Sequence, residues 1–380
     1  MTRYDIAIVG GGIMGCYAAM LLAEAGMRVA VIEKSTLCGG ASGVNAGSHS
    51  MQNKRLQLLP YALEAQELWT RMSARLGYDM GYRRTGGLIV ALTEQEAAGL
   101  EEKTLARRAV GVDAEMIAGD RARAIEPLLS QYILAASYGK TDGYSDSLRT
   151  GRAFTGKLRQ LGVSLYEHCG VERIAPVRDG FVIAGAGETV YAGRILLAAG
   201  AWLKELLLML GSDLPVSYRL NQALVLDRIG HRLRGFIGHA SGLLTLKQSH
   251  SGKLLLGGGW PAEGCAQAGE SVMLSDSIIG NLRLARRILP AVGATSLLRA
   301  WSGFEADMPD FLPLVGAVPG VKNAFVIGCI GGGYTLGPVM AQRLCQQILE
   351  RGPADAAFDP ARFLPAGVRT VTACPPVAQG

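Results

Sequence analysis

"AIVGGGIMGC", residues 7–16, sets Gly10, Gly12 and Gly15 at the spacing G-x-G-x-x-G directly behind the apolar run 5–9. A second β-branched run lies at 28–32, and residues 13–25 between them carry a small-residue helical pattern stopped by Gly26. The stretch therefore predicts a βαβ unit. One glycine permits the tight turn, one lets backbone N–H groups approach a pyrophosphate, and Gly15 lets helix and strand pack closely. The turn and first helical residues, Gly10, Gly12, Ile13, Met14 and Gly15, are expected at the phosphates, where a helix N-terminus offers partial positive charge. Glu33 ends the second strand, where a carboxylate can accept from both ribose hydroxyls, with Lys34 beside it. NAD and FAD both satisfy this pattern. "CGGASGVNAG", residues 38–47, decides for FAD, because its pyrophosphate and ring system extend past the first turn and need a second backbone cradle.

The whole chain suits such a protein. Its 380 residues exceed a single core of ~100 to 200 residues, which predicts two domains. With 49% hydrophobic and 18% charged residues, it reads as globular rather than disordered. No apolar run reaches the ~18 residues that span a bilayer, and no basic, cleavable leader pattern opens the chain. A cytoplasmic protein with no transmembrane segment is expected. The seven cysteines are odd in number and scattered without a C-x-x-C pair, so reduced thiols and no metal site are expected. The net charge of +6 is dispersed, which gives nucleic-acid binding little support.

Beyond these elements the chain resembles the D-amino-acid oxidase superfamily of FAD-dependent amine oxidoreductases, the group that contains glycine oxidase and the sarcosine oxidase β chains. The likeness runs through the fingerprint, "GASGVNAG" (40–47), "GVERI" (170–174), "LLAAGAW" (196–202), "WSGFEADMPDFLPLVG" (301–316) and "GGYTLGPVMA" (332–341). Within that group, "NAGSHSMQNKRLQLLPYALEAQELW" and "LGGGWP" look most like the FAD-carrying β subunits of opine and D-hydroxyproline dehydrogenases. The resemblance implies an α/β plus α+β fold, with a Rossmann-like FAD domain interleaved with an antiparallel-sheet substrate domain. The FAD domain is expected over 1–78, 142–214 and 316–364, and the substrate domain over 79–141 and 215–315. Residues 365–380 are read as a tail, mobile or ordered only against a partner. A helix is expected to open at Pro338 and to end at Gly352.

The resemblance also implies site residues. Ala41, Ser42, Asn45, Ala46 and Gly47 would follow the flavin, Val171 would abut the adenine, and Ala199, Gly200 and Trp202 would lie beside it. Gly332, Gly333, Tyr334, Thr335 and Leu336 would place backbone amides and a helix N-terminus where negative charge develops on the ring. His49 and Lys247 are candidates for contact with flavin or substrate, against the alternatives of a backbone-satisfied histidine and an exposed strand lysine. Gln52, Asn53 and Lys54 are candidate pocket walls, or caps of the following helix. Asp310 is expected to hold its loop through backbone hydrogen bonds. Glu305 departs from the family, in which many members carry an arginine there to grip the substrate carboxylate. Either Arg84 or Arg219 takes over that task, or Glu305 meets a cationic nitrogen and accepts its proton, or Glu305 forms an ion pair inside the substrate domain.

The function expected is oxidation of a small, secondary amine or amino acid to an imine, in a hetero-oligomer whose other subunits relay electrons away. A free-standing, peroxide-forming oxidase and a catalytically silent flavin scaffold are the alternatives.

Overall fold

The computed structural model describes residues 3–364, so the expectation for 365–380 lies outside the described residues. Strand Arg3–Val9 is central to the first sheet because both of its faces are apolar: Ile6 and Ile8 enter one core, Ala7 and Val9 the other. It pairs in parallel with Val29–Ile32 on one side and Glu188–Leu197 on the other. Ser164–Tyr166 extends the sheet beyond Val29–Ile32, and Gly180–Gly185 and Arg173–Val177 extend it antiparallel beyond Glu188–Leu197. The end of Glu188–Leu197 also takes Ala324–Gly328 in parallel, which brings the C-terminal part of the chain within one strand of the first.

Helix Ile13–Glu24 buries small residues (Gly15, Ala18, Ala19) and thereby lets helix Gly333–Ile348 lie close; a Cβ on Gly337 would be 2.7 Å from Met14 Cγ. Helix Leu59–Leu76 packs on that pair through fully buried Trp69, whose Nε1 donates to Thr335 O at 2.9 Å. The last long helix starts at Gly333 and stops at Ile348, with Pro338 inside it. Gly332 accounts for the earlier start: at φ +74° it supplies a left-handed N-cap, and the amides of a first turn lack helical acceptors anyway. Pro338 therefore deprives only the Tyr334 carbonyl of its helical donor.

The second sheet runs Leu297–Asp307, Ser217–Arg228, Lys253–Gly257, Thr245–Gln248, Phe236–His239, Gly87–Ala91, Ala135–Gly139, Ala114–Ala118. Neighbours are antiparallel except Phe236–His239 beside Gly87–Ala91, where two distant chain segments meet in parallel. Leu224, Leu226, Leu246, Leu254 and Leu256 bury one face against Ala285 and Ile288 of helix Ser275–Ile288. A three-stranded ribbon, Ser48–His49, Gly143–Tyr144 and Arg83–Arg84, fastens the segment after the glycine cradle to the start of the second sheet. Among the described residues no helix is long and apolar enough to cross a membrane.

Candidate active site

The fingerprint glycines are required by backbone contact. Gly10 has φ +109°, and a Cβ there would collide with Ala198 O; a Cβ on Gly15 would collide with Gly10 O. Gly12 is the N-cap of Ile13–Glu24 and brings no capping side chain, while the Ile13 N–H donates to Ser42 Oγ at 2.9 Å. Glu33 is held in place by two backbone donors, Gly11 N to Oε2 at 2.7 Å and Ser35 N to Oε1 at 2.9 Å. Each oxygen keeps a lone pair for a ribose hydroxyl. Lys34 Nζ stacks 3.1 Å from the ring centre of Trp202, at the end of the turn Gly200–Trp202 that follows Ala199, and Trp202 Nε1 donates to Ala266 O at 2.8 Å. Val171 packs against the core beneath this end of the sheet. A backbone cradle that any Cβ would fill, an N-terminus with no side chain on its N-cap and a fixed carboxylate together fit the pyrophosphate and ribose of FAD.

The second glycine segment forms the short helix Ala41–Val44 and is closed by Asn45, whose Nδ2 donates to Ser42 O at 2.6 Å and whose Oδ1 accepts from Gly47 N at 2.5 Å. Gly47 needs its glycine: φ is +64°, and a Cβ there would run into Ser145 O. Ala46 faces the second sheet at Gly257.

His49 is buried among the rings of Trp69, Tyr82 and Tyr334, with centroids 4.3, 5.3 and 5.4 Å away. Its Nε2 joins a hydroxyl chain: Ser145 Oγ at 2.8 Å, then Tyr334 OH at 2.9 Å, then Thr150 Oγ1 at 2.7 Å. Burial, with the nearby Lys54 and Lys247 charges, pushes His49 well below the usual imidazole range, so it is neutral at physiological pH. Gln52 Nε2 donates to Asp142 Oδ2 at 2.9 Å and to Gly87 O at 3.1 Å. Asp142 also receives Ser50 Oγ at 2.5 Å and Met51 N at 2.8 Å, and burial raises its carboxyl to about 6. Thr335 Oγ1 donates to Ser48 O at 3.2 Å, and Leu336 is buried in the core. Gln52 and Thr335 thus tie backbone segments together, while His49 and Tyr334 share a chain of side-chain hydroxyls.

The charged candidates separate. Arg84 pairs with Glu67 at 3.3 Å on the surface. Arg219 bridges Glu305 at 3.3 Å and Asp307 at 2.6 Å, with Glu305 44% exposed. Glu305 therefore has an arginine partner from the neighbouring strand, and Arg219 is already engaged. Lys247 is buried, not exposed; its Nζ donates to Ser145 O at 2.8 Å, and burial lowers it to about 7. Lys54 is also buried and lowered to about 8, and its ammonium lies against Gly332. Asp310 accepts from Leu312 N at 3.0 Å and also pairs with Arg362.

A cavity of about 1110 Å³ opens between residues 36–45, helix Ser147–Gln160 and the second sheet. Arg83, Arg149, Arg152, Arg232, Lys247 and Arg299 make its lining basic. It includes Asn45 and Lys247 but none of the fingerprint glycines, Lys54, Glu305 or residues 332–336. This cavity thus reaches the second glycine segment at Gly39, Gly43 and Asn45 but not the fingerprint glycines. Asp142, Ser145 and Trp69 were not foreseen from sequence: a "TDGYSD" stretch reads as a turn, and the helical periodicity marks Trp69 only as core.

The family model described as FAD dependent oxidoreductase (DAO) matches residues 5–347. Glycine oxidase of Geobacillus kaustophilus (strain HTA426) is 29% identical over 370 residues, covering 95% of this chain and 96% of the relative. One of the opine oxidase subunits of Rhizobium meliloti is 27% identical, covering 87% of this chain and 90% of the relative. Among solved structures, glycine oxidase from Geobacillus kaustophilus superimposes with a TM-score of 0.86 at 26% identity, over 96% of this chain and 100% of that one.

Proposed function

From the premise that this chain belongs to the FAD dependent oxidoreductase (DAO) family, and is an FAD-dependent amine or amino-acid oxidoreductase of the glycine, sarcosine and opine oxidase type, we propose a finer reading. It oxidises a small secondary amine, such as an opine or D-hydroxyproline, to an imine, as the catalytic subunit of a hetero-oligomeric dehydrogenase.

The observation that carries the reading is the meeting of two helix N-termini, Ile13–Glu24 and Gly333–Ile348, across Met14; a Cβ on Gly333 would be 3.4 Å from Met14 Cε. Each begins on a glycine that brings no capping side chain; Ile13 N donates to Ser42 Oγ and Gly333 N to Ile330 O, so the next amides, Met14 and Tyr334, are the donors left for an anion. Bound FAD supplies the electron chemistry by accepting a hydride equivalent from the carbon next to nitrogen. The protein's share is binding and placement. Gly10–Gly15 and Glu33 would hold the phosphates and ribose, and the turn at Gly332–Tyr334 would bring the N-terminus of the last long helix to the ring. The buried ring cluster of His49, Trp69, Tyr82 and Tyr334 fixes the backbone behind the cleft.

Two facts support partner subunits. The opine oxidase and sarcosine oxidase relatives are each named as one subunit of a larger enzyme. The basic cavity is rimmed by Leu148 and Leu298, 69% and 47% exposed, apolar surface that a partner would cover. The near-complete match to glycine oxidase favours a second reading, a free-standing oxidase that reduces oxygen. Anaerobic flavin reduction by opines, D-proline derivatives, sarcosine and glycine tests the substrate. Turnover with dyes but little peroxide supports the dehydrogenase, and full oxygen-dependent activity of the isolated chain contradicts it.

A further inference from the structure

Ser145 joins the two segments expected on either side of the flavin ring. Its N–H donates to Gly47 O at 2.9 Å, in the second glycine segment, and its Oγ lies 2.9 Å from the hydroxyl of Tyr334, in the first turn of helix Gly333–Ile348. The same Oγ meets His49 Nε2 at 2.8 Å, and the Ser145 carbonyl takes the Lys247 ammonium. From Tyr334 the chain runs on to Thr150 Oγ1 at 2.7 Å, in helix Ser147–Gln160, whose N-terminus Asp146 caps. His49, Ser145, Tyr334 and Thr150 are all buried.

Only two arrangements put one proton on every link of this chain and leave no hydroxyl proton idle. In one, His49 Nε2 donates to Ser145, Ser145 to Tyr334, Tyr334 to Thr150, and Thr150 to the Asp146 carbonyl at 2.9 Å. The other reverses every link and leaves neutral His49 with its proton on Nδ1, a buried atom without a partner among the described residues. A buried N–H with no acceptor costs more than a bare lone pair, and the reversal also gives up the bond to Asp146 O, so the first arrangement holds. It ends on a carbonyl, which passes no proton onward. The chain therefore holds position rather than conducting. What it holds is the Tyr334 residue, whose own N–H matters: Gly333 donates to Ile330 O, and Thr335 and Leu336 donate to Gly332 O, while the Tyr334 amide has no partner among the described residues.

We propose that Ser145 and Tyr334 are positioning residues for the flavin: the hydrogen bond between their hydroxyls sets the Tyr334 amide and the Gly47 segment at a fixed spacing, and so sets how well negative charge on the reduced ring is stabilised. This deepens the reading above and rests on its placement of FAD at the two N-termini.

The test is the two-electron midpoint potential of the flavin in the holoprotein, poised anaerobically with dithionite against reference dyes. Ser145→Ala keeps the backbone bonds to Gly47 and Lys247, and Tyr334→Phe keeps the ring; each removes the bond between the hydroxyls. Each is expected to weaken the grip on the reduced ring relative to the oxidised one about tenfold, which lowers the midpoint by about 30 mV. The double variant should lie no lower than the larger single, because both act through one bond. Thr104→Val removes a buried hydroxyl pair with Ser137 in the second sheet and should cost stability while leaving the midpoint unchanged. Should either single variant fail to retain flavin, Thr150→Val breaks the chain one link further out and should lower the midpoint in the same direction. Unchanged midpoints in the variants that hold flavin, additive shifts in the double variant, or an equal shift in Thr104→Val overturn the assignment, since a merely structural bond moves stability and not potential. The potential is set without an amine, so the two readings fail separately. If no amine reduces the flavin while the midpoints shift, the amine-oxidising reading falls and the positioning role stands; amine oxidation with unshifted midpoints is the reverse.

Discussion

Helices Ile13–Glu24 and Gly333–Ile348 begin alike, on a glycine without a capping side chain, but their surroundings differ. At the first, the Glu33 carboxylate accepts from Gly11 N and Ser42 Oγ from Ile13 N, no cation is in contact, and a Cβ on Gly10 or Gly15 would meet only backbone at its closest. At the second, a buried ammonium lies against the N-cap. A pyrophosphate brings its own charges and asks for amides at close range, so glycine suffices. The first N-terminus is thus a cradle of shape, the second a cradle of charge.

The largest effect that would separate them is substitution of the glycines themselves. Gly10→Ala forces a Cβ into Ala198 O at φ +109°, so loss of FAD and destabilisation by more than about 3 kcal/mol are expected. Gly332→Ala at φ +74° meets the mobile end of Lys54, at a cost of about 1 kcal/mol. It should keep FAD. The flavin-to-protein absorbance ratio and urea midpoints read both; equal flavin loss in the two variants would erase the distinction.

Lys247 provides the control for Lys54, a buried lysine that has a partner, donating to Ser145 O at 2.8 Å. Its ammonium is lowered to about 7, below the ordinary lysine value near 10.4 of an unfolded chain. Between those values the unfolded chain binds more protons, so this group's contribution to stability rises with pH; its burial penalty is complete below pH 7. Relative to Lys247→Met, wild type should gain about 2 to 3 kcal/mol between pH 7 and pH 9. Denaturant midpoints at the two pH values measure it, and a flat difference would mean that the ammonium is hydrated.

The smallest effect is expected at Glu305. It is 44% exposed, and Arg219 keeps Asp307 when Glu305 is neutralised, so Glu305→Gln should change stability by less than about 1 kcal/mol. A loss well above that in urea midpoints would mean that Glu305 does more than pair with Arg219.

The two N-termini also differ in how far they can be read from sequence. Gly10, Gly12, Gly15 and Glu33 act through backbone geometry at fixed local spacing, and that geometry is written in the spacing. The second N-terminus is visible only as a run of glycines. Its start at Gly333 depends on a left-handed Gly332, whereas Pro338 suggests a later start. Lys54 looks like a pocket wall or a helix cap because its burial arises from packing of a remote turn, 278 positions along the chain. The ion pair of Glu305 with Arg219 likewise needs strand register, which pairs these residues directly across Ser217–Arg228 and Leu297–Asp307. The basic cavity has no signal at all, since its arginines come from four separate segments.

The proposal puts FAD at the two N-termini, taking electrons from a small secondary amine. Anaerobic mixing of the purified holoprotein with opines, D-proline derivatives, sarcosine and glycine tests it in one measurement. At least one of these should bleach the flavin. A flavin that dithionite bleaches but none of these substrates reduces would refute the assignment.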